Sequence, residues 1–228
     1  MRKILFLFLI CIAVLVSETK AQNNAADKFV KIETNLGVMI FALSAQTPIH
    51  TTNFIKLARK GYFNAYNFNR VIKGFVIQGG ETDSAYAAME KEGVILKRLA
   101  PEFNTQLFHQ KGALAAGRDD RKDKTSFTGQ FYVVDGKRYT DTQLDMYEKR
   151  IGNGFQFSAD ARKLYKEVGG TPNLDQNYTV FGQLVKGWEV LESIASAKTD
   201  KTDKPLSLIS IRISVLTKKE IKSLLVKP

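Results

Sequence analysis

The chain is short of the residues on which most enzyme chemistry depends. Of its 228 residues, one is cysteine and two are histidine. Cys11 lies inside an apolar N-terminal run, so a chain that loses this run has no thiol and no disulfide and must hold its fold by packing alone. His50 and His109 are too few, and lack the spacing, for a metal site. There is no Gly-x-Ser-x-Gly elbow and no phosphate-binding glycine loop with a lysine. Gly152-Asn153-Gly154 lacks the third glycine of a dinucleotide fingerprint and follows a helical pattern instead of a strand. Asp119 to Asp123 has neither the turn glycine nor the closing glutamate of a calcium loop. Internal repeats and low-complexity linkers are absent too. The net charge of +11 comes without a helix-turn-helix, zinc-finger or RNA-binding signature, and its charges are scattered. It reads as a solvated basic surface, with no nucleic-acid partner and no cofactor.

The N-terminus carries a targeting pattern. Arg2 and Lys3 precede an apolar stretch from Ile4 to Val16, and Thr19-Lys20-Ala21 supplies a cleavage site. Residues 1–21 are therefore expected to be a signal peptide. The alternative is an uncleaved anchor, but the apolar run falls short of the roughly 20 residues a spanning helix needs. Cys11 follows bulky Ile10 with little apolar sequence upstream, which argues against lipid attachment. A periplasmic or secreted chain with no stable membrane anchor follows. It would keep 31 Lys+Arg against 22 Asp+Glu, a net charge of +9.

After a leader at 22–28, the length suits one domain with a full core. Phe29 to Thr34 and Leu36 to Leu43 alternate as two strands of a hairpin. Thr47-Pro48 reads as cap and first turn of a helix carrying Phe54, Leu57 and Ala58 and stopping at Gly61. Residues 68–72 and 75–78 are β-rich runs broken at Lys73-Gly74 and closed by Gly79-Gly80. Ser84 to Leu99 is polar and weakly patterned. Gln130 to Val134 is a further strand, Leu184 to Ala197 a helix entered at Gly187, and Leu206 to Leu216 a final strand. Between 136 and 170 the texture changes to two short helices, one opened by a capping box at Thr140 and one capped by Ser158. Residues 217–228 read as a basic tail.

The run from Phe68 to Gly80 (FNRVIKGFVIQGG) sets one arginine and one glutamine among aromatic and branched residues. It resembles the signature of the cyclophilins, the peptidyl-prolyl cis/trans isomerases: Phe, His or Asn, Arg, Val or Ile, Ile, any residue, Gly, Phe, hydrophobic, Gln, Gly, Gly. The resemblance extends to Thr34–Gly37, Thr51–Phe54, Gly112–Arg118, Gly129–Val133, Leu174–Gly182 and Ile209–Val215, hence to most of residues 29–216. It implies a mainly β fold, a closed eight-stranded antiparallel barrel capped by two helices, with 136–170 as a helical insertion. It also implies a monomer that binds proline-containing unfolded or partly folded proteins and peptides and accelerates rotation about Xaa-Pro bonds.

Carried over residue by residue, the resemblance makes Arg70 the catalytic arginine, with Gln78 orienting it or binding substrate backbone beside Gln130. Phe75, Val76, Tyr132 and Leu174 fall where the family forms its proline pocket. Gly117 and Arg118 fall where its main chain meets the substrate strand, and Tyr178 stands where many members have His. Without the resemblance, Arg70 could simply alternate outward into water, each glutamine could be an ordinary strand residue, and each apolar residue could be plain core. Asn69 replaces a common His, Lys73 a common Pro, and Asn173 a Trp that cyclosporin-sensitive members use. Weak cyclosporin sensitivity is expected. The competing expectation is a cyclophilin-fold binding or chaperone module without turnover.

Overall fold

The structure is a computed structural model that describes residues 28–226. The expected signal peptide and the leader up to residue 27 lie outside the described residues. The chain opens with a hairpin of β1 (Lys28–Thr34) and β2 (Gly37–Leu43). Helix α1 (Pro48–Arg59) follows with proline in its first turn. Thr47 is not its side-chain cap. The Thr47 hydroxyl is buried without a partner, and the Glu102 carboxylate, from far along the chain, accepts the N–H groups of Ile49 and His50 at 3.0 Å each.

Next come β3 (Phe68–Ile72) and β4 (Val76–Gly80). The stretch that reads as weakly patterned contains a helix, α2 (Asp83–Lys91), capped by the Thr82 hydroxyl. Only Tyr86 of α2 is buried, so it has no apolar stripe to announce it. β5 (Arg98–Leu99), β6 (Ala113–Ala116), β7 (Ser126–Phe127) and β8 (Gln130–Val134) complete the middle of the chain. Helices α3 (Asp141–Ile151) and α4 (Ala159–Glu167) are capped by Thr140, in a full capping box, and by Ser158.

The helix expected from Leu184 begins later. Leu184 and Lys186 are paired to β2 as part of β9 (Val180–Lys186), and α5 spans only Trp188–Ala195. β10 (Arg212–Val215) is shorter than the run suggested, and part of the basic tail forms α6 (Lys218–Val226). Among the described residues no helix is long and apolar enough to cross a membrane.

Eight strands form one curled antiparallel sheet in the order β10-β1-β2-β9-β6-β8-β4-β3, and β5 pairs separately with β7. The ladder does not run continuously around the sheet. Among the described residues, an isolated Asn67–Ser210 bridge and a 3.0 Å hydrogen bond from the Phe68 N–H to the Ile209 carbonyl span the gap between β10 and β3, with the Val71 N–H bonded to the Asp203 carbonyl alongside. The closure expected of a barrel is reduced to that lip contact.

Inside the curl, Val30, Ile32, Phe41, Ile77, Phe131 and Val133 meet Phe54 of α1 and Leu191 of α5. The Phe54 ring lies 5.0 to 5.5 Å from the rings of Phe63, Phe181 and Phe131. Each such buried ring contributes about 1.5–3 kcal/mol.

The outer face of β4, β6 and β8 is also covered. Val76, Ala113, Ala115, Tyr132, Val134 and Val180 form a second apolar cluster with Phe75, Leu107, Leu174 and Tyr178 against it. Strands buried on both faces do not alternate, so β4 and β8 are buried at every position.

A third cluster of Tyr139, Leu144, Phe157, Ala161 and Tyr165 belongs to the α3–α4 hairpin. Arg162 of α4 clamps the hairpin by pairing with Asp141, Asp145 and Glu148. The hairpin joins the sheet at a narrow neck where Gly170 bridges Lys137 and Gln110. A Cβ at Gly170 would stand 2.2 Å from the His109 carbonyl oxygen and 2.5 Å from the Tyr165 ring. Gly170→Ala is therefore expected to lower stability by about 1–3 kcal/mol in urea denaturation; an unchanged midpoint would show that the neck yields.

Candidate functional site

The placement of Arg70 follows from a register shift. Phe68 pairs with Gly79 and Arg70 pairs with Gln78, so β3 carries an extra residue, Asn69, between them. Residues two apart in a regular strand share a face, and here the bulge breaks that rule. Phe68 points into the main core at 1% exposure, while Arg70 stands on the opposite face with its side chain 41% exposed. The Asn69 side chain donates to the Gly80 carbonyl at 2.7 Å and ties the bulge to β4.

From Arg70 the register continues across the sheet. Arg70 faces Gln78, Gln78 faces Tyr132, and Tyr132 faces Ala115. Directly paired residues project to the same side. One row thus carries a cation, an amide and a phenol onto the outer apolar cluster.

All ten residues singled out in the sequence line one cavity of about 150 Å³: Arg70, Phe75, Val76, Gln78, Gly117, Arg118, Gln130, Tyr132, Leu174 and Tyr178. Asp83 is the additional wall residue. Arg70 makes no hydrogen bond to either glutamine among the described residues; its Nε lies 3.5 Å from Asp203, a half-exposed pair worth little in water. Neither Nη atom has a hydrogen-bond or ion-pair partner among the described residues.

The Gln130 amide nitrogen donates to the Glu81 carbonyl at 3.0 Å and to Asp83 at 2.7 Å. Gly117 gives the Gln130 side chain room, since a Cβ there would lie 1.9 Å from its Oε1. Gln78 is buried, and its side chain makes no hydrogen bond among the described residues.

The main chain of Gly117 is already engaged, by the Gln130 carbonyl and the Phe127 N–H. That of Arg118 takes no backbone hydrogen bond among the described residues. The Arg118 guanidinium donates to the carbonyl and side chain of Asn177 and lies 4.8 Å from the Tyr178 ring centroid. Burial raises the Tyr178 hydroxyl above the usual phenol range, so it is neutral at physiological pH.

Beneath the cavity lies a buried polar chain. The Tyr132 hydroxyl is 2.8 Å from His109 Nε2, His109 Nδ1 is 2.5 Å from Asp175 Oδ1, and Tyr165 of α4 donates to Asp175 Oδ2 at 2.5 Å. With Nδ1–H given to the carboxylate, Nε2 is left to accept from Tyr132. Burial holds both tyrosines well above the usual phenol range and keeps them as neutral donors. The pocket floor is thereby tied to the helical hairpin.

Asp83, Asp203, His109, Asp175 and Tyr165 were not identified in the sequence. Most of their partners lie far away in the chain, and even the Tyr165–Asp175 pair, ten residues apart, leaves no mark in local patterning.

A second buried histidine has the connectivity of a nucleophilic triad: His50 Nδ1 lies 2.7 Å from Glu102 and Nε2 lies 3.0 Å from the Ser126 hydroxyl. Ser126 is 1% exposed and lines neither cavity described for this molecule, so the trio joins α1 to β7. Burial lowers the His50 pKa despite the carboxylate. Among the described residues no cluster of His, Cys, Asp and Glu could hold a metal.

Tyr132→Phe keeps the volume of the floor and leaves His109 Nε2 without its partner. A stability loss of about 1–3 kcal/mol is expected in urea denaturation. No loss would mean that water replaces the hydroxyl.

Comparison with known proteins identifies the family of the chain. Residues 29–215 match the family described as cyclophilin type peptidyl-prolyl cis-trans isomerase/CLD. A Staphylococcus saprophyticus protein named as a peptidyl-prolyl cis-trans isomerase is 35% identical over 181 residues, covering 79% of this chain and 87% of its own. A Staphylococcus aureus (strain USA300) protein of the same name is 36% identical over 178 residues, covering 78% and 85%. Among solved structures, a Cryptosporidium parvum cyclophilin type peptidyl-prolyl cis-trans isomerase has a TM-score of 0.60 at 24% identity, covering 84% of this chain and 99% of that one. Its structure in the presence of the dipeptide Ala-Pro has a TM-score of 0.59 at the same identity, covering 83% and 99%. With a signature-bearing strand pair, a matching fold and a family match over most of its length, the chain belongs to the cyclophilin-type peptidyl-prolyl cis-trans isomerases.

Proposed function

We propose that this isomerase lowers the rotational barrier of an Xaa-Pro bond through Arg70, and that its substrates are unfolded or partly folded proteins exported from the cytoplasm. A peptide bond resists rotation by roughly 18–20 kcal/mol because nitrogen donates its lone pair into the carbonyl. At Xaa-Pro both isomers are populated, yet exchange takes about tens to hundreds of seconds. A catalyst must favour the twisted state, in which conjugation is lost and the proline nitrogen regains its lone pair. That nitrogen then becomes an acceptor.

The observation that carries the reading is that Arg70, its Nη atoms without a partner among the described residues, lines one cavity together with Phe75, Val76, Tyr132 and Leu174. Phe75, Val76, Tyr132 and Leu174 would take the proline ring. The guanidinium would donate to the prolyl carbonyl and to the nitrogen as it pyramidalises. Gln78, with its side chain uncommitted, would hold the substrate backbone. Gln130, fixed by Glu81 and Asp83, would present its Oε1, and the free main chain of Arg118 would pair with the extended peptide. That a Cryptosporidium parvum protein of the same fold was solved in the presence of the dipeptide Ala-Pro supports a proline-containing substrate. No proton is transferred, so no acid, base or metal is required.

The same reading treats 29–216 as one isomerase domain, with 136–170 inserted and residues 1–21 removed on export. It makes the protein a monomer and the curled sheet a barrel closed at the Asn67–Ser210 lip. An export role predicts that the mature protein is recovered outside the cytoplasm and begins at Gln22; N-terminal sequencing of the fractionated protein checks this, and a cytoplasmic full-length chain refutes it.

For catalysis, NMR exchange on an Ala-Pro peptide should show a loss of about 10²–10³ in kcat/KM for Arg70→Ala with the circular dichroism spectrum unchanged. Arg70→Lys should recover little, because an ammonium lacks the planar fork of donors. Full activity in folded Arg70→Ala would transfer the role to another group.

A further inference from the structure

A second cavity, of about 580 Å³, adjoins the first and is built partly by the α3–α4 hairpin. We infer that it is an additional subsite for the substrate chain, one that takes an acidic residue next to an apolar one, two to four residues from the proline. The inference rests on the isomerase site proposed above.

The two cavities share a wall. Leu174 and Tyr178 line the first, while Asn173 and Asn177, their immediate neighbours in sequence, line the second. Successive Cα atoms are about 3.8 Å apart, so the linings of the two cavities meet within the segment 173–178. Extended peptide advances about 3.3–3.6 Å per residue, and two to four residues carry a chain seated on Arg70 over that wall. Arg118 reinforces it from the first cavity by holding the Asn177 carbonyl and side chain.

The lining chemistry selects the occupant. Tyr147 and Phe155 supply apolar surface, and Lys124 and Arg150 supply charge. Neither cation has a carboxylate partner among the described residues; Lys124 donates to the Gln176 carbonyl at 2.9 Å and lies 5.5 Å from the Phe103 ring centroid. The lining carboxylate, Asp175, is buried and engaged by His109 and Tyr165. The cavity therefore offers positive charge beside aromatic rings with no exposed acid to oppose an incoming carboxylate.

The far wall is held in place as well. Arg162 locks α3 to α4 through three carboxylates, and Tyr165 locks α4 to Asp175. A preformed wall loses little entropy when a peptide settles on it. By contrast, an arginine on a helix serving only solubility would need no cavity beside the catalytic one.

The test compares KM for Ala-Pro peptides extended by a Glu-Phe pair, placed two to four residues before or after the proline, with matched Gln-Phe peptides. In the wild type, at least one placement should show KM lower by about fivefold for Glu than for Gln. Arg150→Glu should abolish this preference and confer one for Lys-Phe. Lys219→Glu, on α6, makes the same change in net charge and should preserve the Glu preference. Equal KM for Glu and Gln at every placement overturns the subsite, as does an equal effect of Lys219→Glu and Arg150→Glu. Failure of the isomerase reading looks different: the unextended Ala-Pro peptide would then not turn over at all.

Discussion

A single extra residue in β3 decides what this sheet can do. Without the bulge at Asn69, residues 68 and 70 would share a face. Arg70 would then enter the phenylalanine cluster, where an unpaired guanidinium costs several kcal/mol. With the bulge, Phe68 remains in the core and the guanidinium swings to the outer face, in line with Gln78 and Tyr132. Asn69 secures the irregularity by bonding to Gly80, two strand positions beyond Gln78. The chemistry of the site and the packing of the core are thus two consequences of one register shift.

The sheet can carry a site on its outer face because that face is itself apolar and covered. Val76, Ala115, Tyr132 and Val134 form a shallow second core, and the cavity is the part of it that remains open. A water-excluding surround strengthens each hydrogen bond aimed at a substrate. It also makes polar groups beneath it costly unless they are fully partnered. The chain Tyr132–His109–Asp175–Tyr165 meets that condition, since each member has a partner at hydrogen-bond distance.

This buried chain gives the helical hairpin a physical stake in the site. Asp175 lines the second cavity and receives hydrogen bonds from His109 through one carboxylate oxygen and from Tyr165 of α4 through the other. The hairpin has its own small core and its own ion-pair clamp, so it meets the sheet as a preformed body through the glycine neck and Asp175. Motion of α4 would disturb a carboxylate two residues from Asn173 and three from Tyr178, where both cavities are lined.

Features that arise from neighbours in sequence were legible in the sequence itself. The first hairpin, the capping box at Thr140, the Ser158 cap and the strand Gln130–Val134 depend on contacts a few residues apart, and each stands where the pattern put it. The signature from Phe68 to Gly80, together with the matching segments elsewhere in the chain, pointed to the family and to ten residues that line one cavity. Tertiary structure decided the rest, because the groups involved meet only after folding. Glu102 replaces Thr47 as the cap of α1 from 53 residues away, and Asp175 finds His109 across 66. α2 has one buried residue and no stripe to read, while Leu184 to Lys186 extend a strand because β2 is there to pair with them. Strands covered on both sides show no alternation in burial, so hydrophobic pattern alone could not sort core from cavity in β4 and β8; the family resemblance did that. What sorts them physically is register, and register is a property of strands already paired.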